Sequence, residues 1–360
     1  MFGKGLDHDG LGLKQSKAMN VIDFKSIARD ADGKPVSTFP HPALRSGASV
    51  RQQLAYHALA IGTACILGAG CAAAADLADT KGNTPPIADP TLPPTTSLED
   101  YFAHWYDRVR EAQATQPHWM TPLVTVTPRL EQEIRYDQYF QHTATGADVD
   151  NFDSGKGLEL IPTTTNEILI NAPPWLQRTI KKPTSGFGDW PFLTIKQRII
   201  SAPEDQGNYI VTAFLGFQAP IGAPAFTNGA YVITPTIAGG KGWGDFDIQA
   251  TVGTPIPTAY ESAIGTSLVT NVTLQYHAFE YFWPELEFND TYWFDGMRGG
   301  LNQLFITPGI IAGRFPIGGT AKLIFGLGYQ FAVTPTPVVV APALTPTYNH
   351  AWVLTARMAF

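Results

Sequence analysis

From about residue 121 to its end the chain alternates between apolar and polar residues. In 319–333, Leu323, Phe325, Leu327, Tyr329 and Phe331 point one way, and Lys322, Gly326, Gly328 and Gln330 the other. In 245–253, Phe246, Ile248, Ala250 and Val252 oppose Asp245, Asp247, Gln249 and Thr251. In 267–278, Leu268, Val272, Leu274 and Tyr276 oppose Asn271, Thr273, Gln275 and His277, and in 129–141, Ile134, Tyr136 and Phe140 oppose Glu131, Glu133, Arg135 and Asp137. Period two is the signature of a strand, whose successive side chains leave opposite faces. The pattern divides into twelve strands, at 129–141, 156–161, 166–171, 191–201, 208–218, 230–238, 245–253, 267–278, 283–289, 302–313, 319–333 and 348–360.

The connections alternate as well. Those at 142–155, 172–190, 219–229, 254–266, 290–301 and 334–347 are long, and those at 162–165, 202–207, 239–244, 279–282 and 314–318 are short. An even number of strands with short turns at one end and long loops at the other predicts an all-β fold, a transmembrane antiparallel up-and-down barrel. The final segment agrees. Trp352, Leu354, Ala356, Met358 and Phe360 share one face, with Thr355 and Arg357 between them. Such a strand, ending flush on an aromatic residue, suits the closing and assembly role in a barrel whose outer face meets lipid. Since Arg or Lys at the bilayer midplane costs about 2–4 kcal/mol, the polar faces must line the interior.

Composition narrows the function. Only 15% of residues are charged, with 34 Gly and 29 Pro, which fits short strands separated by turns. No apolar run of about 18 residues occurs in the predicted barrel region, so helical spans are not expected there. A net charge of −7 without any Lys/Arg run argues against nucleic-acid binding. The two cysteines, Cys65 and Cys71, lie in an apolar stretch. That stretch has a basic start at Arg51, an apolar centre from 59 to 67 and a small-residue run ending at Ala75, as a cleaved secretory signal does. Residues 1–50 are polar and unpatterned, and no stable fold is expected of them. Either translation begins near Arg51 or the signal has an unusually long basic region. Residues 76–96 read as a Pro-rich linker, and 97–114 as a short helix, capped by Ser97, with Phe102, Trp105, Tyr106 and Val109 on one face. That helix would dock on the periplasmic mouth or enter it as a plug. The predicted localisation is the outer membrane of a Gram-negative bacterium.

By alternation, the candidate pore lining is Glu131, Glu133, Arg135, Asp137, Lys196, Arg198, Asp245, Asp247, Gln249, Gln275, His277, Glu285, Glu287 and Lys322. Glu159, Glu167 and Arg357 also fall on inward positions. These charges either form a constriction that filters solutes or fill the core of a narrow barrel, since twelve strands lie between a packed interior and an aqueous channel. Glycines 240, 242 and 244 read as a tight turn with Trp243 at the membrane edge, because no strand–helix unit follows to make a phosphate loop. The acids between Asp148 and Asp153 read as a solvated external loop. No catalytic constellation, cofactor motif or metal site is apparent.

Several segments, Gly155-Lys-Gly-Leu-Glu-Leu-Ile-Pro162, Gly186-Phe-Gly-Asp-Trp-Pro-Phe192, Gly239-Gly-Lys-Gly-Trp-Gly-Asp-Phe-Asp-Ile-Gln-Ala250, Tyr281-Phe-Trp-Pro-Glu-Leu-Glu-Phe288 and Phe305-Ile-Thr-Pro-Gly-Ile-Ile-Ala-Gly-Arg-Phe315, carry a family resemblance. Over roughly residues 121–360 the chain resembles the outer-membrane proteins named for the meta-pathway of phenol degradation. The resemblance implies an outer-membrane barrel that passes small apolar or aromatic solutes. The expected partners are outer-membrane lipid, the machinery that assembles barrels, and small solutes. The alternative is a non-conducting barrel that is structural or binds a partner.

Overall fold

The structure, a computed structural model, describes residues 97–338, 344–345 and 347–360. The expectations for 1–50, 51–75 and 76–96 lie outside the described residues. Two short helices come first, α1 (Leu98–Ala103) and α2 (Trp105–Ala114). The strands then follow as β1 (Glu133–His142), β2 (Asp148–Asp153), β3 (Gly157–Thr163), β4 (Asn166–Asn171), β5 (Trp175–Thr179), β6 (Pro183–Phe187), β7 (Trp190–Ala202) and β8 (Tyr209–Ala219). After them come β9 (Val232–Trp243), β10 (Phe246–Gly253), β11 (Ile256–Pro257), β12 (Ser267–Tyr276), β13 (Phe282–Trp293), β14 (Asn302–Gly318), β15 (Ala321–Ala332) and β16 (His350–Ala359), with a single helical turn, α3 (Glu261–Ile264), between β11 and β12.

Twelve of these strands close a ring, each antiparallel to its neighbours: β1, β3, β4, β7, β8, β9, β10, β12, β13, β14, β15 and β16, with β16 returning to β1. The closing seam is continuous from Glu133 opposite Ala359 to His142 opposite His350, and the Phe360 amide donates to Gln132 O. The faces follow the alternation. Phe325 and Trp352 are about half exposed (49% and 51%) on the outside, while Gln330 and Arg357 are buried inside. Ile134, Tyr136, Phe140, Ile195, Ile237, Ile310 and Leu327 extend the outer apolar belt. An apolar outside around a polar inside, with the ring of strands closed on itself, is the arrangement of a membrane-spanning barrel.

Four strands were not anticipated, one of them the two-residue β11, which lies in the expected loop 254–266 and pairs with β9. The expected loops 142–155 and 172–190 contain β2, β5 and β6, which continue the sheet beyond the ring. β1 is long enough to pair with β3 through Glu133 and Ile134 and with β2 from Asp137 to His142. Between β2 and β3 the chain breaks at Asp153, Ser154 and Gly155, all with positive φ (70°, 48° and 70°). The acid-rich stretch reads as a loop, yet pairing with the free edge of β1 satisfies backbone groups that would otherwise be left open.

The expected helix over 97–114 is broken at His104, whose ring lies 2.9 Å from Asp107 Oδ2 and 3.5 Å from Asp100 Oδ1. Ser97 caps α1 as expected, accepting from the Asp100 amide at 3.1 Å. Val109 and Ala112 pack on Leu130 and Ile161, with Trp105 against them, whereas Phe102 and Tyr106 of the expected stripe stay exposed. The helices therefore dock at the end of the barrel that carries the short turns. What enters the barrel is the segment that follows them.

Candidate functional site

The first strand begins at Glu133 and not at 129, because residues 115–132 fold back into the barrel as a loop. The sequence 119–130 holds Pro122 and Pro128 and alternates Thr and Val between them. Proline removes a ladder donor, so this run suits an interior where side chains, not a neighbouring strand, satisfy its backbone. The loop leaves α2 at Thr115, whose hydroxyl accepts from Arg198 Nη2 at 2.9 Å. Arg198 also donates to Ala112 O (2.8 Å) and Thr164 O (2.5 Å), fixing the helix end to the rim. His118 meets Glu204 in the β7–β8 turn through its amide (2.5 Å) and ring (2.9 Å). Partial burial pushes the Glu204 carboxyl up, but the donors from His118 outweigh it and hold the group below its ordinary range.

Inside the barrel the wall grips the backbone. Glu285 Oε1 accepts from Leu123 N at 3.0 Å, and the two oxygens of Glu287 accept from Val124 N and Thr125 N, both at 2.7 Å. Arg135 Nη2 donates to Leu123 O at 2.6 Å, while Arg357 gives one nitrogen each to Thr121 O (2.6 Å) and Pro122 O (2.7 Å). Gln249 Nε2 donates to Met120 O at 2.9 Å, and Arg314 Nη2 to Trp119 O at 2.7 Å. On the returning limb, Thr212 Oγ1 donates to Pro128 O (2.5 Å), Lys196 Nζ to Arg129 O (3.2 Å), and Glu131 N to Glu167 Oε2 (2.6 Å). Charged groups at such hydrogen-bond distances make the stronger class of bond.

Two side chains of the loop sit where the wall has none. A Cβ on Gly326 or Gly328 would lie 2.5 Å or 2.8 Å from a Leu123 methyl, and one on Gly309 closer still. A Cβ on Gly240 would lie 2.5 Å from the Trp119 ring and one on Gly242 2.7 Å from its Nε1, which donates to Asn208 Oδ1 at 2.8 Å. Gly240 and Gly242 therefore belong to β9 and face the lumen. The turn expected there is formed by Gly244 and Asp245, and Trp243 points outward, 55% exposed.

Most of the candidate lining faces the interior as the alternation requires. Glu133, Arg135, Asp137, Lys196, Arg198, Asp247, Gln249, Gln275, Glu285 and Glu287 are all buried there. Four placements differ. Glu131 lies on the inserted loop, not the wall, and pairs with Arg129 at 2.9 Å. Asp245 is exposed in the β9–β10 turn, one residue after Gly244 (φ 59°). His277 follows the end of β12 and is exposed, its ring stacked 4.3 Å from Trp283. Lys322, on the second residue of β15, reaches solvent at the rim below the loop. Glu131, Asp245 and His277 lie beyond the ends of their strands, whereas Lys322 keeps the inward parity of β15 and is exposed because it stands at the strand's start.

Among the charges that do meet, Arg135 binds Asp137 through two hydrogen bonds (2.9 and 2.8 Å), and Lys196 lies 2.9 Å from Glu167 and 4.0 Å from Glu159. Sequence reading missed the loop, Arg314 and Thr212. Arg314 is turned inward by a bulge between Gly313 and Phe315, with its own φ at 61°. The available signal was the set of inward glycines, which a barrel would otherwise fill with side chains. Toward the long-loop end, above the inserted loop, lies a cavity of about 220 Å³ lined by Thr234, Thr236, Thr251, Val232, Val269 and Asn271, with Leu344 and Thr345 also at its edge.

No family model matches the chain. A stretch of 38 residues is 55% identical to the protein-glutamate methylesterase/protein-glutamine glutaminase of Nitrobacter winogradskyi, covering 11% of this chain and 9% of that protein. The chain thus spans less than a tenth of the length of that curated relative. Three solved structures share a coarse likeness. An outer-membrane channel of Pseudomonas putida F1 aligns at 13% identity and TM-score 0.40, over 64% of this chain and 94% of its own. OmpF of Salmonella typhi, in complex with daunomycin, aligns at 8% and 0.31 over 63% and 96%, and OmpT, an outer-membrane protein of Vibrio cholerae, at 10% and 0.30 over 64% and 96%. Likeness at this level adds nothing to the ring that the strand pairing already defines.

Proposed function

We propose that the chain is an outer-membrane channel, with its short-turn end in the periplasm, that passes small apolar or aromatic solutes when the loop 115–132 moves aside. One observation carries this reading: the ring of twelve strands is complete without the loop. Strand pairing runs from β1 round to β16 and back, and the loop has no place in that ladder. Apart from the Phe360 N–H bond to Gln132 O at its very end, the loop is held through side chains, so withdrawing it leaves the ring closed. The cavity near the long-loop end would then connect with the bore the loop vacates. Support for the solute class comes from the resemblance to the phenol-pathway barrels and from the apolar sockets that hold Leu123 and Trp119.

The inward charges fill the lumen in this closed state and line it in the open one, which joins the two readings of them. Planar-bilayer recordings test the proposal. The parent protein should open rarely, and Leu123→Asp, which places a charge in an apolar socket, should open often. A folded Leu123→Asp barrel that stays silent would leave the non-conducting barrel as the better account. Slowing of the open-state current by a small aromatic solute such as phenol tests the solute class separately.

A further inference from the structure

Leu123 is bound at every point by which a peptide residue can be recognised. Its N–H is accepted by Glu285, its carbonyl oxygen takes a hydrogen bond from Arg135, and its isobutyl group fills the space left by Gly309, Gly326 and Gly328. The pattern continues on both sides. Glu287 takes the next two amides, and Arg357 the two preceding carbonyls. Toward the loop the carboxylates meet backbone donors and the guanidinium groups backbone acceptors, while on the wall side Glu285 and Glu287 also accept from Gln275 and Thr273, and Arg135 binds Asp137. Arg357 has no carboxylate within ion-pair distance among the described residues, and its remaining nitrogen donates to Thr355 Oγ1 at 3.0 Å. Thr355 stands directly opposite Gly326 in the β15–β16 ladder, so polar grip and apolar socket adjoin.

We propose that this wall is a binding site for an extended peptide with an aliphatic side chain, and that residues 121–125 are its resident ligand. The chemistry favours a peptide over a hydrocarbon or an anion. A hydrocarbon would fill the socket but leave the loop-facing hydrogen bonds of Glu285, Glu287 and Arg357 unmade in a narrow lumen, which is costly. An anion would meet Arg357 but be opposed by the two glutamates. Only a chain that alternates donors and acceptors answers both. A free peptide competes with the loop for one seat, so it acts as the signal that releases the loop. The inference extends the channel reading but is tested without any current.

The experiment is hydrogen–deuterium exchange of the full-length protein in detergent, followed at the amides of Leu123, Val124 and Thr125. N-acetyl-Pro-Leu-Val-amide at millimolar concentration should speed their exchange at least tenfold. Leu123→Ala, which weakens the resident ligand, should lower the concentration needed at least tenfold. The same peptide with Asp in place of Leu, and toluene, should leave exchange unchanged. No response to the leucyl peptide in the parent overturns the proposal, as does equal acceleration by the aspartyl peptide or by toluene. Should Leu123→Ala not fold, the parent comparison alone decides. A silent barrel that still responds to the peptide would refute the channel and keep the site.

Discussion

Gln116 and Leu130 hold each other across the neck of the inserted loop: Gln116 Nε2 donates to Leu130 O at 2.8 Å, and Leu130 N donates to Gln116 Oε1 at 2.9 Å. One side-chain amide thereby joins the descending and returning limbs, both buried. Gln116→Ala leaves a buried N–H and a buried C=O without partners, at about 1–3 kcal/mol each. Exchange of the amides between 116 and 130 should accelerate, and channel openings should become more frequent. Unchanged exchange would mean that the neck does not hold the loop.

Filling the socket should act from the wall side. Gly326→Val sets a side chain where Leu123 now sits, and overpacking of this kind costs about 1–3 kcal/mol. The ring, which does not include Leu123, should still migrate as a folded, heat-modifiable barrel, while the loop is expelled and conductance rises. A folded barrel with parental conductance would show that the loop can be repacked in place.

Lys196 is fully buried between Glu167 and Glu159. Lys196→Met leaves two carboxylates beside each other without their cation, a loss of about 3–5 kcal/mol when a buried pair is broken from one side. The melting temperature should fall, and adding Glu167→Gln should restore part of it. Equal melting of the single and double variants would count against the coupling.

The contact between His118 and Glu204 gives the mouth of the loop a dependence on acid. The Glu204 carboxyl is held below its ordinary value of 4.5, so the contact contributes fully above that value and is lost as pH falls through the lowered one. Exchange around residue 118, corrected for its intrinsic pH dependence, should rise in the parent as pH falls below 4.5, and the rise should be absent in Glu204→Gln, which lacks the titrating group. A rise of equal size in the variant would assign it elsewhere.

The lipid face makes a separate prediction. Leu354→Arg puts a charge on the outer belt at the seam, where a bilayer-facing arginine costs up to about 2–4 kcal/mol, while Thr355→Ser on the adjacent inward position changes little. The first should reduce the heat-modifiable barrel on gels and the second should not. Similar losses from both would contradict the facing.

The ring was legible because alternation and loop length both report on a sheet that is wet inside and greasy outside. β4 was placed at its observed limits, and β16 within two residues. The inserted loop was hidden for the same reason. Its Thr–Val run has strand periodicity, and nothing local separates a segment that pairs in a ladder from one that crosses the bore. Glu131 was misplaced by that ambiguity, since it continues the parity of Glu133 and Arg135 across the point where the wall begins. Asp245, His277 and Lys322 were misplaced because a repeating pattern does not announce where the membrane stops. The glycines 309, 326 and 328 held the missing clue, but an empty wall position names no occupant until the occupant is seen.

Strand β16 performs two tasks that are ordinarily separate. It closes the ring against β1, and through Arg357 it grips the loop inside. A molecule in which this strand has not yet docked is therefore an open sheet lacking one of the holders of its stopper. On the channel reading proposed above, closing the ring and seating the loop fall within a single zipping event, so few finished barrels would pass through an unstoppered state.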